Sequence, residues 1–451
     1  MLEREEMIMS KDMAKKQSKN RTKLGICTFT FAFIMAGLTA CSSVTMPKLR
    51  SKAQAPKFDS SDMSNEFSEF IGKANDFALP LIENINKGLE SKTNSAYSPA
   101  SLFYAIGMLS EVTSNEDKQN LLNILDVNKD ELNRNIKTLY MACNSEFGNK
   151  KVIGKERIDN SIWLDDRYAF NEQILDDLAN VFYADSFSCN FETNNEKSNQ
   201  AISDYVKDCT DGFLEPNYNF DQFTSFVLLN TLYFEDVWND RGIDLNKDQM
   251  RNFKNYDNSV SNLQFYKTYY APGKIIETET YKSMFCKTYN GFKIDFIVPK
   301  DGVNVDDLFT EEVLRNHETL EQITSEGEGE NRINYLSNIL TPEFNASFDD
   351  DILENFYSTY KINDVDNFSD FATKKEGNSE LTVKSIVHTT KVEFKKDKVK
   401  GAASTAIVNG NPGAPSSREV FNSLIVDRPF IYTIKDPQGI NLFQGVVYEV
   451  K

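Results

Sequence analysis

Two histidines, His317 and His388, are all the imidazole this chain has, and their surroundings exclude several chemistries at once. His317-Glu318 opens the spacing of a helical zinc motif, in which two histidines one turn apart hold the metal and the glutamate acts as base. Glu321 stands where the second histidine belongs, so that ligand set is incomplete. Asp364, Asp366 and Asp370 share one stretch, but Phe368 and Ser369 occupy ligand and glycine positions that a calcium loop requires. There is no Gly-x-Ser-x-Gly elbow, no phosphate-binding Gly-Lys-Ser/Thr loop and no Cys-x-x-Cys pair. His388 is a lone histidine with no serine and aspartate arranged around it, which reads as structural. No nucleophile, base and orienting group can be assembled, so an enzyme is not expected, nor a metal or a cofactor.

Charge narrows the partners. The 451 residues carry 68 Asp plus Glu against 50 Lys plus Arg, a net −18, which repels nucleic acid and anionic lipid headgroups. Hydrophobic residues at 40% and charged residues at 26% are those of a globular protein with an ample core. The N-terminus is a different material. Lys15, Lys16, Lys19, Arg21 and Lys23 precede an uncharged apolar run, Leu24 to Leu38, that ends in Leu38-Thr39-Ala40-Cys41. That order of basic region, short apolar region and small residues before a cysteine resembles a bacterial lipoprotein signal, with Cys41 becoming the lipidated terminus. A retained membrane anchor is the alternative. Residues 1–40 are thus read as signal peptide, 41–65 as a flexible tether rich in Ser, Lys and Pro, and 66–451 as one domain. The chain is then exported and lipid-anchored at the cell surface or extracellular, touching membrane only through its lipid, and a monomer is expected. Cys143, Cys189, Cys209 and Cys286 have no spacing that supports pairing and are read as buried free thiols.

The elements that could position a site follow from periodicity. Helical spacing is expected over Phe67–Leu81, Leu102–Leu109, Glu116–Leu125, Ile174–Tyr183 and Asn195–Thr210. Ser98-Pro99 supplies a cap and a first-turn proline for the second of these. Arg157–Asp165 alternates like a strand, and Phe226–Phe234 is the continuous apolar run of a strand covered on both faces. Ile294–Val298, Phe430–Ile434 and Leu442–Tyr448 also read as strands, and the Gly/Glu run at 327–330 as an exposed loop. Helices early and strands late indicate an α+β domain built on large sheets.

Several blocks in this order resemble the serpin family, from about Glu66 to Glu449. Asn94-Ser95-Ala96-Tyr97-Ser98-Pro99-Ala100-Ser101 is similar to that family's N-x-x-x-S-P-x-S, and Asn230-Thr231-Leu232-Tyr233-Phe234-Glu235-Asp236-Val237-Trp238 to its N-A-x-Y-F-K-G-x-W, with Asp236 in place of the glycine. Val426-Asp427-Arg428-Pro429-Phe430 and Leu442-Phe443-Gln444-Gly445 are similar to its C-terminal strands. The resemblance implies an α+β serpin-like fold: a large central mixed β-sheet plus smaller sheets, helices packed around, and an exposed reactive loop, here about 396–420. It implies a suicide inhibitor of serine, or alternatively cysteine, proteases, whose cleaved loop inserts into the central sheet and traps the acyl-enzyme. It also implies that Ser98, Ser101, Asn230 and His388 converge beneath the sheet centre as a shutter, with Trp238 at the breach above.

The loop can be read on physical grounds as well. An inserting strand must alternate between a buried and an exposed face. Val399, Gly401, Ala403, Thr405 and Ile407 share one parity and are small or apolar. Lys398, Lys400, Ala402, Ser404 and Ala406 share the other, which carries both charges. The tract can therefore become a half-buried strand without burying a charge. Its hinge departs from the family: Lys396, Lys398 and Val399 stand where Glu, Gly and Thr are usual, which stiffens the backbone where it must swing. Two counts place the scissile bond at Pro412-Gly413 or between Ala414 and Arg418, a window that includes Ser416 and Ser417. Arg418 would suit a trypsin-like enzyme, whereas the serines, or Val408 upstream, would suit elastase- or subtilisin-like ones. The alternative to inhibition is a non-inhibitory surface or binding protein of this fold whose loop is only a substrate.

Overall fold

Ser64, Ser98, Asn128, Asn171, Asn190 and Thr310 each offer a side-chain oxygen to a free N–H at a helix start. They open α1 (Asn65–Gly88), α2 (Pro99–Val112), α4 (Lys129–Ala142), α5 (Glu172–Asn180), α6 (Phe191–Cys209) and α7 (Glu311–Glu318); α3 (Asn115–Ile124) and α8 (Leu353–Tyr360) lack a side-chain cap. The computed structural model describes residues 45–149, 152–238, 249–268, 271–328, 331–375, 381–396, 398–399 and 418–451. Cys41 and the signal segment lie outside the described residues, as do Lys400, Gly401, Ala402, Ala403, Ser404, Thr405, Pro412, Gly413, Ala414, Ser416 and Ser417.

Each expected helix is present with shifted ends. α1 runs past Leu81 to Gly88 with Pro80 inside it. An internal proline costs about 3 kcal/mol, but Leu81, Ile82 and Ile85 beyond it are buried, at about 1.5–3 kcal/mol each, so burial wins. α5 stops at Asn180, because Tyr183 takes a left-handed φ of 48° that turns the chain into the next strand. α2 is apolar nearly all round and buried at every position but Ala105, which makes it the central helix of the core.

The strands named below are β1 (Lys48–Arg50), β2 (Val152–Asp165), β3 (Ala184–Cys189), β4 (Phe226–Val237), β5 (Gln249–Lys254), β6 (Val260–Lys267), β7 (Tyr281–Lys287), β8 (Lys293–Pro299), β9 (Ile333–Thr341), β10 (Phe344–Asp351), β11 (Val387–Phe394), β12 (Lys398–Val399), β13 (Arg418–Ile425), β14 (Phe430–Lys435) and β15 (Asn441–Val447). A mixed sheet runs β1-β3-β2-β4-β12, with β2 parallel to β3 and antiparallel to β4. A second sheet runs β7-β8-β14-β15 behind an edge at Ile276–Glu277, and a third joins β9, β6 and β5, with β13 parallel to β9. β10 and β11 form a separate antiparallel pair.

Two expectations are corrected. The segment read as a flexible tether is tied down from residue 48 onward, because β1 pairs with β3 at the sheet edge. Its cations find carboxylates far away in the sequence: Lys48 with Asp185, Arg50 with Asp176, and Lys52 with Asp159 at 2.5 Å. The four cysteines of the domain are free, but only Cys143, Cys189 and Cys286 are buried; Cys209, on the last turn of α6, is half covered.

Gly445 joins two backbones at close quarters. It faces Tyr432 in β14, and its neighbours bond across to the segment before α2, with Tyr97 N–H reaching Gln444 O at 2.7 Å and Ser95 N–H reaching Val446 O at 2.9 Å. A Cβ at 445 would sit 1.9 Å from the Ser95 carbonyl oxygen. Gly445→Ala therefore lowers native stability by about 3 kcal/mol, read as an earlier guanidinium midpoint.

Candidate functional site

β4 and β11 lie side by side without a ladder between them among the described residues. A cleft of about 110 Å³ separates their lower halves, walled by Phe226–Thr231 on one side and Thr382–Thr389 on the other. Leu102 and Ile106 of α2 line its floor, and Tyr218 and Phe220, from the segment after α6, line it as well. The Tyr218 hydroxyl lies 3.4 Å from Thr389 Oγ1. The central sheet is thus open along two facing strand edges.

The first turn of α2 touches both edges. Ser98 N–H donates to His388 Nε2 on β11 at 3.1 Å, while the Ser98 hydroxyl oxygen caps the helix by accepting from Ser101 N–H. Ser101 Oγ in turn bonds Asn230 Oδ1 on β4. Asn230 Nδ2 donates at 2.6 Å to Asn160 Oδ1 on β2, and Asn160 Nδ2 reaches Phe182 O at 2.8 Å. Ser98, Ser101, Asn230 and His388 therefore meet beneath the cleft, though Asn230 and His388 stand on opposite walls. Asn160 was not anticipated. The signal lay in the alternation of β2, where it takes the inward parity of Ile158 and Ile162, both fully buried.

Above the cleft, Trp238 follows the end of β4, packs on Phe394 with ring centroids 4.8 Å apart, and donates its indole N–H to Lys395 O at 3.0 Å. Lys396 N–H donates to Glu343 Oε1 at 2.7 Å, and its ammonium lies 5.3 Å from the centre of the Tyr266 ring. Immediately beyond, the backbones of Lys398 and Val399 pair antiparallel with Val237 and Asp236 of β4. Arg418 requires a correction. It opens β13, opposite Ile333, with its N–H on Arg332 O at 3.1 Å. A bond whose backbone is committed to a sheet cannot extend into a protease cleft, so residues 418–420 belong to the third sheet and the loop ends by 417. The other histidine is occupied structurally: His317 bridges Asp295 Oδ2 and the Tyr281 hydroxyl, each at 3.2 Å.

His388 accepts a backbone N–H at Nε2, so the neutral ring carries its proton on Nδ1. Burial pushes its pKa down from 6.5 to about 3, because a charged ring would lose solvent and face a donor with a donor. Between those values the unfolded chain binds a proton that the native chain refuses, so native stability falls as pH drops. The expected loss is roughly 3 kcal/mol between pH 6.5 and 4. Guanidinium midpoints across that range should show the slope, and His388→Gln should flatten it.

The comparisons with known proteins agree with this geometry. The family profile described as Serpin (serine protease inhibitor) matches residues 72–450. Serpin-Z10 of Arabidopsis thaliana is 21% identical over 410 residues, which cover 85% of this chain and 99% of that protein. Among solved structures, the thermophilic serpin tengpin in its native state superposes with a TM-score of 0.70 at 21% identity, covering 90% of this chain and all of that one. Thyroxine-binding globulin in complex with thyroxine superposes at 0.66 with 18% identity, covering 84% of this chain and 99% of that one. The open central sheet, the polar turn beneath it and the match over most of its length make this chain a member of the serpin family, whose members are commonly protease inhibitors rather than enzymes.

Proposed function

We propose that this protein is a suicide inhibitor of serine proteases, of elastase- or subtilisin-like preference, that traps its target by inserting the cleaved loop between β4 and β11. One observation carries the reading: two facing strand edges stand open while the Lys398–Val399 backbone is already seated on the upper end of one of them. The residues that follow are small or apolar on the parity of Val399, and both charges fall on the other, as a strand with one buried face requires. Arg418 pairs in β13, which supports a scissile bond within Pro412–Ser417, where Ala414, Ser416 and Ser417 would suit enzymes that accept small side chains. Inserting about ten residues would convert two edges into ladders, gaining on the order of 10 kcal/mol at about 1 kcal/mol per net hydrogen bond. The native state is then kinetically held, not the most stable one.

Incubation with subtilisin- and elastase-like proteases should yield a covalent complex that survives denaturing electrophoresis. Loop cleavage by a non-target protease should raise the melting temperature by more than about 10 °C. Clean cleavage with neither outcome would instead mark a serpin-fold binding protein whose loop is only a substrate.

The proposal extends to location. A lipid on Cys41 leaves six residues, 42–47, before β1, a reach of about 25 Å at full extension, so the domain would be held close to the membrane. Cys41→Ser should release the full-length protein from the membrane fraction into the soluble one.

A further inference from the structure

Asp236 replaces a glycine of the family pattern at the upper end of β4, and it is fully buried. A buried carboxylate costs several kcal/mol unless donors surround it. Here they do. Asp236 Oδ1 accepts from its neighbour Val237 N–H at 2.8 Å and from Asn290 Nδ2 at 2.6 Å, while Oδ2 accepts from Asn290 N–H at 3.0 Å. Burial raises its carboxyl above the usual range, and bonds from the Thr288 hydroxyl, Asn290 and Val237 oppose that shift. Thr288 and Asn290 belong to the turn joining β7 to β8, in a different sheet from β4.

Other contacts follow the same seam. Tyr289 N–H donates to Val237 O at 2.9 Å, Trp238 bridges Thr288, and Phe234 packs on Phe292 with centroids 4.5 Å apart. Gly154 on β2 leaves room for the polar pair, since a Cβ there would lie 2.4 Å from Asn290 Nδ2 and 2.8 Å from Asp236 Oδ1. On its other side, the Asp236 backbone is the partner of Val399, the last described residue before the loop. β11 pairs only with β10 among the described residues, and its Phe394 packs on Trp238 and on Phe296 of β8.

We propose that Asp236 is a positioning residue for loop insertion: with Asn290 it clamps the end of β4 to the β7–β8 turn and so fixes the backbone on which Val399 pairs. The strand that starts at Val399 nucleates on that clamped end in one register. The proposal rests on the insertion reading and deepens it.

The test uses a synthetic peptide of residues 400–411 as an external strand, annealed to the full chain and followed by the gain in thermal stability with time. Wild type should anneal and gain stability. Asp236→Ala and Asn290→Ala should each anneal about tenfold more slowly, the scale of one lost hydrogen bond. The double variant should be no slower than Asp236→Ala. A residue that merely stabilised the native fold would give the opposite sign, because weakening a kinetically held state speeds its conversion. Annealing of both single variants at or above the wild-type rate would overturn the clamp and leave insertion standing. Failure of wild type to gain stability would overturn both. Asn290→Ala keeps the backbone N–H on the carboxylate, so it provides the test if Asp236→Ala does not fold.

Discussion

A β-strand edge exposes a row of N–H and C=O groups that must be paired, covered or solvated, and this fold has two such edges facing each other. On this edge β4 carries only the two-residue β12 at its upper end, β11 pairs with β10 alone, and no ladder joins β4 to β11 among the described residues. The surrounding parts answer to that gap. α2 is buried nearly all round because it forms the floor beneath both edges, and the segment after α6 contributes Tyr218 and Phe220 to the same cleft. Hydrogen bonds left unmade along the gap are stability that the native arrangement forgoes. The rest of the core, more than eighty buried apolar side chains among the described residues, holds the edges in place despite that loss.

The separation of the edges is set by one helical turn. Ser98 and Ser101 lie three residues apart on α2, and from there one reaches His388 on β11 and the other Asn230 on β4. Because a helical turn is rigid, the two walls cannot part without one of these bonds lengthening or α2 moving with a wall. The bonds are made between neutral groups in the interior, where an unmade one costs more than a made one contributes. The turn is therefore a threshold against opening. Its histidine must stay neutral for the same reason, which ties the threshold to pH.

What could be read in advance was local. Ser98-Pro99 announced the start of α2, and the apolar run at Phe226 announced a strand covered on both faces. The alternation at Arg157 announced its partner in the sheet. What could not be read depends on distant pairing. Nothing around Lys52 indicates that Asp159 will meet it, so a short Ser- and Lys-rich stretch reads as a tether when it is an edge strand. Arg418 reads as loop because its partner, Ile333, lies more than eighty residues upstream. Asn160 is legible only once the parity of its strand is taken seriously, since a polar residue on the inward face needs a buried partner.

The hinge is where local reading and long-range structure disagree most usefully. Three residues there depart from the family, and taken alone they argue for a stiff, charged entry into the sheet. Lys396, however, is not part of the segment that would move. Its N–H is held by Glu343, next to the start of β10, and the preceding carbonyl by Trp238, next to the end of β4, which fixes it in place above the cleft. Its charge therefore never has to cross the cleft. Lys398 and Val399 remain, and their backbones have already made the first pairs with β4. Under the insertion reading proposed above, the unfavourable step imposed by a missing glycine is the initial bend toward the sheet, and the pairs that Lys398 and Val399 make with β4 lie beyond that step. On that reading, insertion would be propagation, one pair of residues at a time, along an edge whose register the pairing of Val399 with Asp236 sets.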